Sequence, residues 1–128
     1  MNKNTRILIA GIGGVGGYYG GLLAKHHHHT DSEILFLSRG ENLEAIRQKG
    51  LLIKEGEQQF RAYPSQIISD AADAGTVDYL IMAPKRYDLE EMMEQLSPAV
   101  HPGTIILPLL NGIDAAAVIQ KRFPGNKV

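Results

Sequence analysis

Apolar residues in this chain fall into short unbroken runs, separated by stretches in which they recur every three or four positions. The runs are ILIA (7–10), EILFLS (33–38), DYLIMA (78–83) and TIILPLL (104–110). Continuous runs of this length predict strands buried on both faces, as in a parallel sheet. After the first run, Val15, Tyr18, Tyr19, Leu22 and Leu23 share one helical face. Residues 42–50 (NLEAIRQKG) predict a short helix stopped by Gly50. Asp88 and Glu91 form a helix-start signature ahead of Leu89, Met92, Met93 and Leu96, with the methionines read as core. Residues 113–123 (IDAAAVIQKRF) predict a last helix ended by Pro124 and Gly125. The segment 51–64 (LLIKEGEQQFRAYP) departs from this rhythm and predicts a hairpin or a pair of edge strands around Gly56, closed by Pro64. Strand and helix alternate elsewhere. The expected class is therefore α/β: a doubly wound, mainly parallel sheet with helices on both faces.

Composition narrows what such a domain could do. With 128 residues, 44% of them hydrophobic and 21% charged, the chain is sized for one globular domain with a real core. A formal net charge of -1 and no basic stripe give no general attraction to nucleic acid or to a membrane surface, so any bound anion must be held locally. The absence of cysteine excludes disulfides, thiolate nucleophiles and thiolate metal sites, and a reducing, cytoplasmic location is expected. Lys3 and Arg6 before an apolar run superficially resemble a secretory signal. The run is broken by Gly11, lacks a small-residue cleavage site and is too short to span a bilayer. His26 to His29 invite a metal reading, but adjacent helical residues point about 100° apart and only His26 and His29 share a face. A solvated helix end is expected there, and no metal.

The seven glycines between residues 11 and 21 carry the first functional signal. Gly11, Gly13 and Gly16 fit GxGxxG directly between a predicted strand and a predicted helix. In a dinucleotide-binding, Rossmann-type fold the first glycine permits the tight turn, the second lets the diphosphate approach the main chain, and the third lets helix pack on strand. The helix N-terminus adds free N–H groups and partial positive charge. Gly11, Ile12, Gly13, Gly14, Val15 and Gly16 are thus the expected cofactor-binding stretch. Gly17, Gly20 and Gly21 fall outside the pattern and are expected to serve close packing of the helix on the sheet. At the end of the second predicted strand an NAD site has a carboxylate for the ribose hydroxyls, whereas this chain has Ser38, Arg39 and Gly40. A guanidinium suits a 2′-phosphate, so NADP is the expected cofactor, with Arg39 as its discriminating contact.

These landmarks together resemble the amino-terminal half of the ketopantoate reductase (2-dehydropantoate 2-reductase) family. GIGGVGG, SRG, MAPKRYDLEE and ILPLLNGID occur in the family's order and cover essentially the whole chain. The resemblance implies NADPH-dependent reduction of a 2-keto acid to a 2-hydroxy acid, in the family's named case ketopantoate to pantoate, a step of pantothenate biosynthesis. It implies that Lys85 touches cofactor and substrate side by side. It also implies that the Asn111 amide orients nicotinamide and substrate. The family's proton-donating lysine belongs to a second, helical domain that this chain does not contain, so no catalytic proton donor is expected within residues 1–128. FPGNKV places Lys127 and Val128 where a further strand would begin, and the expected domain is a fragment ending before that strand. Two other readings stay open: a non-catalytic NADP(H)-binding or sensing module, and a related 2-keto acid reductase with another substrate. The sequence leaves the oligomeric state undetermined, a homo-oligomer included.

Overall fold

The computed structural model describes residues 5–12, 14–28, 30–84, 89–109 and 114–128. Five strands form one parallel sheet: β1 (Arg6–Ala10), β2 (Glu33–Leu37), β5 (Gln66–Ile68), β6 (Tyr79–Met82) and β7 (Ile105–Pro108), in the order β5-β2-β1-β6-β7. Two more, β3 (Leu51–Glu55) and β4 (Gln58–Ala62), make a separate antiparallel hairpin about Gly56 and Glu57. The helices are α1 (Gly14–His26), α2 (Gly40–Lys49), α3 (Leu89–Leu96) and α4 (Ala115–Arg122), with short 3-10 turns at Ala71–Ala74 and Ser97–Ala99. This is the doubly wound α/β arrangement expected from the sequence. The winding reverses between β1 and β6, where the chain leaves β1 in one direction and returns in the other.

Residues registered across the sheet put Leu8, Leu35, Leu80 and Ile106 on one face and Ile7, Ile9, Phe36 and Ile81 on the other. The first face is covered by Met93 and Leu96 of α3 and Ile119 of α4, with Phe123 just beyond that helix, together with Ala71, Ala74 and Ala99. The second is covered by Ala24 of α1, Ile46 of α2 and, through the hairpin, Ile53 and Ala62. Leu8, Ile9, Leu35, Phe36 and Leu80 are all fully buried, as the unbroken apolar runs require.

Three features differ from the sequence expectation. β5 had no counterpart in it, because three residues with a polar first position carry no alternation to detect. Gly20 meets the sheet as expected, a Cβ there lying 3.2 Å from both Ile9 and Phe36, but Gly21 instead faces the hairpin, at 2.5 Å from Ile53 Cδ1. Gly17 makes only ordinary contact, again with the hairpin, at 3.7 Å from Leu51. In agreement with the expectation that a further strand begins at Lys127, that residue forms a parallel bridge with Ile105, and its carbonyl accepts from the Ile106 amide at 2.8 Å, beside β7.

Candidate functional site

All five parallel strands end at the same pole, and β1 and β6 end side by side there. The Ala83 amide donates to the Ala10 carbonyl at 2.9 Å, so the two strands stay paired up to the point where both chains turn away. Gly11 then takes φ +98, a conformation that side chains disfavour. A Cβ at Gly11 would overlap the Ala83 carbonyl oxygen. A Cβ at Gly16 would overlap the Gly11 carbonyl oxygen and lie 2.8 Å from the Ala83 Cβ. Three stretches of chain therefore meet with only the Ala83 methyl between them, and α1 begins at Gly14 directly behind the crossing. No acidic residue stands in the first turn of α1, so nothing there offsets the positive end of the helix dipole.

Ser38 extends the pairing of β2 by donating its amide to the Ile68 carbonyl at 2.9 Å, and its hydroxyl accepts from Asn42 Nδ2 at 3.0 Å. Arg39 follows as the N-cap residue of α2, in extended conformation, with no side-chain capping bond. Its side chain is exposed and makes no hydrogen bond or ion pair among the described residues. Arg47, further along the same helix, is engaged instead by Glu44 at 2.7 Å. Arg39 is thus a cation at the strand pole, available to an incoming anion.

On its flank away from the sheet, α1 is clasped by the hairpin. The Tyr18 hydroxyl donates to Glu55 Oε2 at 2.9 Å, and Lys25 Nζ stands 4.2 Å from the centre of the Phe60 ring. The hydrogen bond to Glu55, with burial and the Glu55 charge behind it, raises the Tyr18 pKa above its ordinary value. Sequence reasoning misses this clasp, because helical spacing shows Tyr18 only as part of an apolar face.

Of the expected stretch, Gly11 and Gly16 meet Ala83 at the crossing, and Gly14 begins α1. Gly13, Lys85 and Asn111 lie outside the described residues, though Lys85 and Asn111 follow closely in sequence on the ends of β6 and β7. His26 ends α1, with His26 and His28 exposed and His29 outside the described residues. No group of three or more potential metal ligands occurs among the described residues. Among them no helix is long and apolar enough to cross a membrane.

Strand order, switch point and glycine crossing together define a Rossmann-type α/β domain. More narrowly, the chain belongs to the ketopantoate reductase PanE/ApbA family, whose profile matches residues 7–128. It is 35% identical over 107 residues to an uncharacterized oxidoreductase, YkpB, of Bacillus subtilis, covering 84% of this chain and 33% of that one. It superposes on the crystal structure of 2-dehydropantoate 2-reductase from Porphyromonas gingivalis W83 with a TM-score of 0.89 at 38% identity, covering 95% of this chain and 44% of that one. A ternary structure of D-mandelate dehydrogenase with NADH and anilino(oxo)acetate superposes with a TM-score of 0.72 at 26% identity, over 91% of this chain and 37% of that one. The chain spans about a third of the length of the first curated relatives it matches.

Proposed function

We propose that these residues form the NADPH-binding part of a reductase that converts a 2-keto acid to a 2-hydroxy acid, with ketopantoate as the substrate. The observation that carries this reading is the crossing of Gly11, Gly16 and Ala83 at the switch point of the sheet, where the missing Cβ atoms let the chain turn tightly and bring the α1 N-terminus directly behind the strand ends, the place a diphosphate takes in this fold. The donor chemistry fits the cofactor: main-chain amides of residues 11–16 and the α1 N-terminus suit the diphosphate, and the unengaged Arg39 guanidinium suits a 2′-phosphate. When bound, the cofactor supplies hydride.

The chain's own residues bind and orient. Gly11, Ile12, Gly13, Gly14, Val15 and Gly16 seat the diphosphate, and Arg39 selects the phosphorylated ribose. Lys85 reaches cofactor and substrate together, and the Asn111 amide aligns nicotinamide and keto acid. The proton for the developing alkoxide comes from the polypeptide that the relatives carry beyond the matched part, so residues 1–128 alone bind cofactor and turn over little or no substrate. We place the protein in the cytoplasm, with a small 2-keto acid as its partner and neither nucleic acid nor membrane. The family match and the name of the P. gingivalis relative support the substrate assignment.

Fluorescence titration with NADPH and NADH, for the parent chain and Arg39→Ala, tests the reading. Charge-assisted bonds contribute about 1.5–3 kcal/mol, so NADPH should bind roughly 10- to 100-fold more tightly than NADH. Arg39→Ala should erase that preference while leaving NADH binding unchanged. Equal affinities that the substitution does not alter would remove the cofactor assignment.

A further inference from the structure

β2 leaves the sheet beside the glycine crossing. Register pairs Leu37 with Ala10, so Ser38 and Gly11 are the next residues of neighbouring strands, which stand about 4.8 Å apart. The Ser38 main chain is fixed there, its amide donating to the Ile68 carbonyl at 2.9 Å. Its hydroxyl accepts from Asn42 Nδ2 at 3.0 Å. A hydroxyl has one proton to give as well as lone pairs to receive, and the described residues offer no acceptor for the Ser38 proton. This half-buried serine thus stands at the strand pole with an acceptor site taken up and its donor site open.

Helix capping does not account for the bond. Arg39 is the N-cap residue of α2 and makes no side-chain capping bond, which puts Asn42 at the third helical position. A side chain at that position in a capping box reaches back to the main-chain amide of the N-cap residue. Asn42 reaches one residue further, to a side-chain oxygen, and so satisfies none of the unpaired amides of the helix start. Nor is packing the reason, because Asn42 is exposed. What the bond fixes is the direction of the Ser38 hydroxyl: an N–H seated on one lone pair confines the proton to the side away from Asn42.

We propose that Asn42 is a specificity-determining residue of the cofactor site: by donating to Ser38 Oγ it turns the Ser38 proton outward, where that proton and the Arg39 guanidinium hold the same 2′-phosphate. This role rests on the NADPH reading above and deepens it. A phosphate is an acceptor only, so it suits a serine proton and a guanidinium offered from adjacent residues. Arg39 is not drawn elsewhere, since Glu44 engages Arg47. Gly40, the next residue, has nothing within 4 Å of where a Cβ would stand, which leaves the approach open. The same logic requires an amide at position 42. A carboxylate there would accept the Ser38 proton instead of freeing it, and would repel the phosphate.

Fluorescence titration of the 128-residue chain with NADPH and NADH measures the effect. Ser38→Ala should weaken NADPH binding about tenfold and Asn42→Ala about three- to tenfold, with NADH affinity changed less than about twofold by either. The double variant should bind NADPH no more weakly than Ser38→Ala alone, because Asn42 acts through the hydroxyl. Asn42→Asp keeps the size of the side chain and reverses its hydrogen-bonding sense, so it should lose NADPH affinity by about tenfold or more, which a residue of purely structural role would not do. Equal losses of NADPH and NADH in Asn42→Ala would overturn the proposal by making the residue a support of the helix. Additive losses from Ser38→Ala and Asn42→Ala would overturn it by uncoupling the pair. Full NADPH affinity in Asn42→Ala, with the preference for NADPH still abolished by Arg39→Ala, would remove the role of Asn42 and leave the cofactor reading standing. Equal affinities for NADPH and NADH in both the parent chain and Arg39→Ala would remove the two together.

Discussion

At Gly16 the missing side chain and the crossing backbone are one feature, so substitution there should cost more than the loss of conformational freedom. Gly16→Ala forces a methyl onto the Gly11 carbonyl and the Ala83 side chain, and overpacking of this kind costs about 1–3 kcal/mol. Gly56 takes φ +64 at the hairpin turn with nothing within 4 Å of where a methyl would stand, so Gly56→Ala should cost only the strain of its conformation, about 1–2 kcal/mol. Urea denaturation ranks the two. NADPH titration separates them further: only the Gly16 variant should lose binding, since Gly16 itself stands in the crossing whereas a methyl at Gly56 meets nothing. Tyr18 allows a second test. Its phenol is held neutral by donating to Glu55, so its pKa lies above the ordinary 10.0. The stabilisation is therefore complete below the unfolded-state pKa and is lost as pH rises through the raised one. In an absorbance titration of the five tyrosines, one should ionise late. That late phase should vanish in Glu55→Gln, where the carboxylate charge is gone, and be missing altogether in Tyr18→Phe. A late phase that survives both substitutions would place the perturbed phenol elsewhere.

The elements easiest to foresee were those whose signal is local. Four apolar runs became β1, β2, β6 and β7, and Gly50, with φ +74, ends α2 next to the residue that begins the hairpin. The GxGxxG context gave the crossing at Gly11 and Gly16. What the sequence could not reveal depends on partners distant in the chain. β5 exists because Gln66, Ile67 and Ile68 find Leu35, Phe36 and Leu37 of β2, not because three residues prefer a strand. Likewise, the glycines of α1 share one spacing but serve two surfaces, Gly20 the sheet and Gly21 the hairpin, and only the placed hairpin distinguishes them. That division can be tested at the level of elements. Gly21→Ala brings a methyl to 2.5 Å from Ile53 Cδ1 and should destabilise by about 1–3 kcal/mol. Ile53→Ala removes Cδ1 together with Cγ1, which would lie 2.6 Å from that methyl, and alone should cost about 2–5 kcal/mol. Combined, the two should be less costly than their sum, a favourable coupling of about 0.5 kcal/mol or more in a double-mutant cycle. Strict additivity would mean that the hairpin does not press on α1 at this point.

Across the whole molecule the two faces of one sheet are unequally built, and stability should follow that asymmetry rather than residue type. Arg6 fastens the pole opposite the glycine crossing, its guanidinium joined to the Glu33 carboxylate and the Ala74 carbonyl while its amide donates to Asp78 at 2.8 Å. Sheet and outer turns are thereby tied at one end. Between the poles, the face toward α3 and α4 is closed over Leu80, whereas the face toward α1 is open at Leu107. Leu80→Ala removes packed atoms from the middle of the closed face and should cost about 2–5 kcal/mol, since partial collapse leaves a cavity. Leu107→Ala removes the same atoms from a half-solvated site and should cost well under half as much, because water already fills part of the space. Urea denaturation of both variants at equal protein concentration gives the comparison. Near-equal losses would mean that Leu107 on the α1 side of β7 is as enclosed as Leu80 on the other.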